Sequence, residues 1–325
     1  MTTSFSSLPI VDLSPLSHPS PSLEDRSRLS QELYNVFATT GFAYLTNAPL
    51  TYSHSDVFAL AKDFFTIPED EKMRVAKQTF VKGNRNTYRG YFPLQPGKRS
   101  KLDLNEENVW PRAETFGDGR QRLEKLHDEL QSLSSTLLSL LATALGKPAD
   151  YFASYLDNSL STLRLLHYPP QERARSADGE VKLCCTPHTD SGILTLLHQD
   201  QTGGLEVLNA EDKWVPAPYV PGSIVVNIGD LMAQVSGGRF VATMHRVRTN
   251  SGGAQCADGM GRFSVPFFFE PGEQCMVNSV DGGEGILYGQ HIRRKMGTWV
   301  EYKDFVEEKP MDESAVERSP AVEAY

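Results

Sequence analysis

Leu29, Leu33, Val36 and Phe37 recur at the spacing of one helical face, and the stripe stops near Gly41, before the strand-like run FAYLTNAP. Val57, Leu60, Ala61, Phe64 and Phe65 repeat the period, so two helices are expected to cover a sheet. A third pattern predicts a long helix from about Arg122 to Leu145, with leucines three and four apart, ending at Gly146 and Pro148. Between these, the segment from Phe80 to Trp110 has no regular period and reads as irregular surface or a lid. From Ser161 onward the texture changes to short β-type runs broken by Gly, Pro, Asn and Asp: STLRLLHY, ILTLLHQD, GLEVLNA, KWVPAPY, SIVVNIGD, HRVRTN and RFSVPFFFEP.

Helices first and strands afterwards predict an α+β fold, one antiparallel β core wrapped by an N-terminal helical layer. The expected division is an N-terminal helical and irregular region over 1–120, the scaffold helix with the β core over 121–305, and an acidic mobile tail over 306–325, all in one structural unit. No internal repeat stands out. A length of 325 residues with 39% hydrophobic residues suffices for a substantial core. The formal charge of −9 and the lack of a basic block argue against nucleic acid or an anionic membrane as partner, which leaves small molecules. The first residues lack the basic region and long apolar core of a secretory signal, and no run is long enough to span a bilayer, so a cytoplasmic enzyme without an obligate protein partner is expected. Cys184, Cys185, Cys256 and Cys275 lack the paired spacing of a zinc site and read as reduced thiols.

The candidate chemistry begins in TPHTDSGILTLLHQD. His188 and Asp190 are two apart, and an extended chain would point both to one face at the entrance of an apolar strand. Such a pair alone also suits the capping of a turn. His245 is the candidate third ligand, with 54 residues between it and Asp190. Two histidines and one carboxylate on one face of an octahedral ion leave three positions open, the facial triad of non-haem Fe(II) oxygenases. Arg262 and Ser264, again two apart, offer a guanidinium fork and a hydroxyl to a carboxylate. His198 and His291 read as structural. His167, on the opposite face from Tyr168, should point away from the core of the barrel.

The ordered set LPIVDL, TTGFAYLTN, LRLLHYPP, PHTDSGILTLLHQD, SGGRFVATMHRV, RFSVPFFFEP and LYGQHIRRKM resembles the Fe(II)- and 2-oxoglutarate-dependent dioxygenase superfamily, in the branch similar to isopenicillin N synthase. The resemblance implies a double-stranded β-helix, a jelly-roll or cupin-like barrel. It implies Fe(II) on His188, Asp190 and His245, with 2-oxoglutarate and dioxygen as co-substrates. It also implies that Arg262 and Ser264 hold the distal carboxylate of 2-oxoglutarate and that Tyr168 joins them. Two departures stand out: Leu166 occupies a position where many relatives carry Asn, and 16 residues separate His245 from Arg262, a longer spacing that makes 251–261 an expected surface hairpin. The implied activity is oxidation of a C–H bond of a small-molecule, specialised metabolite by hydroxylation, desaturation, or ring formation or expansion. The alternatives are an oxidase of the same fold that does not use 2-oxoglutarate, and a catalytically silent metabolite-binding barrel. Substrate contacts are expected from Tyr88, Arg89, Tyr91, Phe92 and Lys101, from the C-terminal helix near Ile292 to Trp299, and from Met232 and Phe267 on strand faces near the iron.

Overall fold

The computed structural model describes residues 3–18, 21–84, 89–94, 99–104, 111, 113–170, 183–249 and 259–296. The two amphipathic stripes form α1 (Leu23–Thr39) and α2 (His54–Thr66), each opened by a serine whose side chain accepts from a backbone N–H three residues on. At α2 the Asp56 carboxylate accepts in turn from the Ser53 N–H, completing a capping box. After the short α3 (Glu69–Met73) and α4 (Ala113–Phe116), the leucine stripe forms α5 (Gly119–Ala144), which buries Leu123, Leu126, Leu130, Leu133, Leu137 and Leu141.

The strands are β1 (Ile10–Asp12), β2 (Phe42–Thr46), β3 (Gly90–Phe92), β4 (Ser100–Asp103), β5 (Thr162–Tyr168), β6 (Leu183–His188), β7 (Leu194–Gln199), β8 (Leu205–Leu208), β9 (Trp214–Pro216), β10 (Ile224–Ile228), β11 (His245–Arg248), β12 (Arg262–Phe269), β13 (Met276–Val277) and β14 (Ile286–Leu287). Eight of them form a large sheet in the order β1-β2-β10-β7-β12-β5-β4-β3, and four form a facing sheet in the order β6-β11-β8-β9. Two short helices complete the fold, α6 (Asp230–Val235) and α7 (Tyr288–Met296).

Strand alternation builds two cores from the large sheet. Ala43 and Leu45 of β2 and Val226 of β10 pack under the helices, with the leucines of α5. Phe42, Tyr44 and Val225 face the other way and pack with Leu205, Val207 and Val247 of the smaller sheet. The result is the jelly-roll sandwich with helices on its outer face, in agreement with the expected α+β class.

Two expectations need correction. The segment from Phe80 to Trp110 is not wholly irregular, because β3 and β4 extend the large sheet. Lys101 and Asp103 of β4 are only 2% and 1% exposed, so charged residues occupy inward positions and break the apolar alternation that signals a strand. β6 is hidden in the sequence for a related reason, since LCCTPH is only half-buried and carries no alternation. The expected tail over 306–325, and most of the expected hairpin over 251–261, lie outside the described residues. No described helix is long and apolar enough to cross a membrane.

His198 of β7 sits on the helical side of the sheet, 3% exposed, with its ring 5.8 Å from that of His54. Its Nδ1 has no hydrogen-bond partner among the described residues. Burial, helped by the neighbouring His54, pushes its pKa down from 6.5 to about 3. Above pH 6.5 the ring is neutral folded and unfolded, and its contribution to stability is fully present. As pH falls toward 3 only the unfolded chain takes up the proton, so stability is lost at about 1.4 kcal/mol per pH unit. One such group removes about 2 kcal/mol between pH 6.5 and pH 5. Chemical unfolding of His198→Leu across this range should show a pH slope shallower by about one proton; an unchanged slope would reject the assignment.

Candidate active site

His188 is the last residue of β6 and His245 the first of β11, and the antiparallel register sets them directly opposite one another. Their ring centroids are 4.2 Å apart. Asp190 follows in the bend leading to β7, and its Oδ1 lies 3.8 Å from Nε2 of both histidines. One donor atom from each residue falls within 4.8 Å of the others. The simple expectation of a shared strand face is therefore corrected: His188 ends a strand of one sheet, and Asp190 is turned toward it by the crossing into the other. That crossing is tight. The Asp230 N–H donates to the Asp190 carbonyl at 2.7 Å, and a Cβ on Gly229 would run into the carbonyl oxygen of Gly192.

The remaining polar atoms orient this trio. Nδ1–H of His188 donates to the Thr186 carbonyl at 2.8 Å and Nδ1–H of His245 to the Thr243 carbonyl at 3.2 Å. A carbonyl only accepts, so in the neutral ring each Nε2 is the nitrogen with the lone pair, free to bind a metal. Asp190 Oδ2 accepts from Thr195 Oγ1 at 2.6 Å and from Asn227 Nδ2 at 2.8 Å, leaving Oδ1 to face the imidazoles. Thr195 and Asn227 are paired across β7 and β10, which places both donors on the inward face. Burial works against the Asp190 carboxylate, but His245, His188, Asn227 and Thr195 together outweigh it and hold the pKa below the usual range. Burial also lowers His245, more than Asp190 raises it. For His188 burial is overcome by the Cys185 sulfur as thiolate, 3.8 Å from Nδ1, and by Asp190, which push it up to about 9. Two imidazole nitrogens and one carboxylate oxygen suit a borderline divalent ion such as Fe(II), which would displace the proton that His188 otherwise holds.

The hydrogen bond from Asn227 has a measurable consequence. Asn227→Ala should weaken Fe(II) binding by roughly 10- to 100-fold while the chain stays folded. Competition with a chromogenic chelator would read this, and unchanged affinity would exclude an orienting role.

Arg262 and Ser264 open β12 on the inward face, 6% and 2% exposed. Arg262 donates through Nε to the Gly203 carbonyl at 2.8 Å and through Nη1 to Ser264 Oγ at 3.2 Å. Tyr168 is its direct cross-strand neighbour on β5, with the guanidinium 5.0 Å from the ring centre. A second cation, Arg99, reaches the same place: its Nη1 lies 3.5 Å from Tyr168 Oη and donates to the Cys184 carbonyl at 3.3 Å. The structure thus brings Arg262, Ser264 and Tyr168 together, and adds Arg99, which nothing in the sequence of the irregular segment singles out.

The inward face continues as a polar cluster. Arg164 of β5 grips Asp103 through both Nε and Nη2, the latter at 3.1 Å, and its guanidinium lies 4.9 Å from the Phe268 ring centre. Lys101 Nζ is 3.6 Å from Asp103 Oδ2 and 4.0 Å from the centre of the Phe92 ring. Phe92 therefore faces this cluster, whereas Tyr91 is corrected as a substrate contact, since it turns outward to Phe64 and donates its hydroxyl to Glu69. Arg89 donates to the Leu160 carbonyl. Tyr88 lies outside the described residues. Two further expected contacts are corrected. Met232 is on α6, not on a strand, and is fully buried in the core under the helices. Phe267 faces α5, 5.3 Å from the His127 ring, because strand alternation sends it opposite to Ser264. His167 likewise faces outward, stacked on Phe263, and His291 of α7 donates from Nε2 to the Ser191 carbonyl at 3.2 Å. The described part of α7 includes Ile292, half-buried against the core; 297–299 lie outside.

Residues 159–271 match the family described as the 2OG-Fe(II) oxygenase superfamily, and residues 8–122 match the non-haem dioxygenase N-terminal family named for morphine synthesis. The chain is 30% identical to homoarginine-6-hydroxylase 2-ODD-233 of Oryza sativa subsp. japonica, covering 92% of this chain and 99% of that one. It is 31% identical to proline hydroxylase buaE of Petromyces alliaceus, covering 83% and 89%. A full-length Neurospora crassa protein, solved in complex with alpha-KG, superposes with a TM-score of 0.78 at 25% identity, covering 92% of this chain and 98% of that one.

Proposed function

Since the chain belongs to the 2OG-Fe(II) oxygenase superfamily, we propose that it hydroxylates a C–H bond of a small polar metabolite, with 2-oxoglutarate and dioxygen as co-substrates. The observation that carries this reading is the convergence of Asp190 Oδ1 on both histidine Nε2 atoms, each at 3.8 Å, beside a buried arginine and serine. His188, Asp190 and His245 would hold Fe(II). When bound, that ion supplies the open positions at which 2-oxoglutarate and dioxygen react. Arg262 and Ser264 would receive the distal carboxylate of 2-oxoglutarate, with the Tyr168 ring packed against the guanidinium. Lys101, Asp103 and Arg164 would meet polar groups of the substrate, while Phe92 and Phe268 keep water from the reacting carbon.

The overall reaction balances as substrate, 2-oxoglutarate and dioxygen giving alcohol, succinate and carbon dioxide. Hydroxylation is favoured over desaturation or ring formation by the names of two relatives, both hydroxylases of small molecules. The small molecule is the only partner in this proposal, consistent with the charge of −9, and the free thiols of Cys184, Cys185 and Cys275 suit the cytoplasm. Turnover under dioxygen of a heavy oxygen isotope tests the reading: one labelled atom should enter succinate and one the alcohol. Product formed without succinate would favour an oxidase that does not use 2-oxoglutarate.

A further inference from the structure

Glu270 follows β12 in step with Arg262, Ser264 and Phe268, and none of the roles above uses it. Its backbone is pinned at both ends: the Ser159 hydroxyl donates to its carbonyl at 2.6 Å and its N–H donates to Ser161 Oγ at 3.1 Å. The Ile193 N–H donates to the Phe269 carbonyl at 3.0 Å, which locks this corner against the bend that carries Asp190. The Glu270 side chain then crosses Gly192, where an added Cβ would meet Cγ at 3.0 Å and Oε1 at 3.5 Å. Only a residue without a side chain at 192 leaves the carboxyl this place, two residues from a metal ligand.

The groups around the carboxyl are Arg89, Arg164, Tyr288 and Asp190. The guanidiniums are engaged elsewhere, Arg164 by Asp103 and Arg89 by the Leu160 carbonyl. Tyr288, fully buried at the start of α7, sits next to the carboxyl, yet its hydroxyl finds no partner at good hydrogen-bond geometry among the described residues. A buried hydroxyl without a well-aligned partner costs stability, and a ligand that bonds to it beside the half-buried Glu270 carboxyl removes that cost.

We propose that Glu270, with Tyr288 beside it, determines substrate choice by accepting a hydrogen bond from a nitrogen of the substrate: an ammonium, a guanidinium or a ring N–H. This rests on the oxygenase reading above. A substrate carboxylate at the same spot would meet the Glu270 carboxylate as a like charge, whereas a nitrogen donor gains the Glu270 carboxylate and the Tyr288 hydroxyl oxygen as acceptors.

The test uses the full chain loaded with Fe(II) and 2-oxoglutarate and a panel of probes. L-lysine, L-arginine and L-proline represent nitrogen donors; hexanoate and tetrahydrofuran-2-carboxylate are nitrogen-free counterparts. Stimulated succinate release and the shift of the visible Fe(II)–2-oxoglutarate absorption on probe binding are both read. At least one nitrogen probe should stimulate the wild-type chain while its counterpart does not. Glu270→Gln should then raise KM for that probe by roughly 10- to 100-fold and leave kcat within a few-fold. The same variant should keep the absorption band without probe and its thermal midpoint, and Glu270→Asp should recover part of the loss. Silence toward all nitrogen probes, a preference for the nitrogen-free ones, or an unchanged KM in Glu270→Gln overturns the proposal. A wild-type chain that forms no Fe(II)–2-oxoglutarate band overturns the oxygenase reading instead.

Discussion

Replacing Asp190 by alanine should lower 2-oxoglutarate turnover by roughly three orders of magnitude or more, with iron no longer retained through gel filtration. The size of the effect follows from how the carboxylate is used. Among the described residues Oδ1 is the one carboxylate donor facing His188 and His245, and without it two imidazoles remain for a divalent ion. Oδ2 is the acceptor for Thr195 and Asn227, so the variant also leaves two inward donors without their partner, at about 1–3 kcal/mol each. Asp190→Asn separates these losses, since it keeps the shape but not the charge. Metal content and succinate formation measured on the same samples check the expectation, and a variant that retains both would remove Asp190 from the metal centre.

Arg262→Leu carries the second large effect, a rise of roughly 10²- to 10³-fold in KM for 2-oxoglutarate, because removing one member of a buried charge pair costs several kcal/mol. The guanidinium is held by Gly203, Ser264 and the Tyr168 ring before any ligand arrives, so little ordering is left to be lost on binding. Arg262→Lys should recover only part of the affinity, since an ammonium cannot make two parallel bonds to a carboxylate. Ser264→Ala should cost about tenfold, the worth of one hydrogen bond to a charged group. Initial rates against 2-oxoglutarate concentration give all three values. A KM unchanged in Arg262→Leu would point to Arg99 as the anchor, which lies at the same ring.

Much of this centre is legible in the chain because its chemistry is carried by residue types that are rare in apolar surroundings. His188, Asp190 and His245 flank strands, and Arg262 and Ser264 interrupt a run of buried apolar residues. The same logic could have found Asn227, the lone polar residue of β10, and Thr195, which interrupts the apolar start of β7, both at the parity that faces inward. Parity also argues against Phe267, since Arg262 and Ser264 facing inward make Phe268 the inward phenylalanine. Met232 departs from its expected strand because Asp230 begins a helix after Gly229 that looks, in sequence, like the end of a strand. What stays hidden is long-range: Lys101 and Asp103 resemble surface charges until β4 pairs with β5, and Arg99 gains meaning only from Tyr168, 69 residues on. Glu270 is a charge at the end of FFFEP whose burial depends on Gly192 and on a helix that starts at Tyr288.

The central claim is that His188, Asp190 and His245 hold Fe(II) while Arg262 and Ser264 hold 2-oxoglutarate on the same ion. Anaerobic addition of both to the purified chain measures this directly, through the visible charge-transfer absorption of 2-oxoglutarate bound to Fe(II). The account predicts a band that saturates at one equivalent of each, is lost in Asp190→Ala, and needs far more 2-oxoglutarate in Arg262→Leu. A chain that binds iron at this centre but gives no band with 2-oxoglutarate would contradict it.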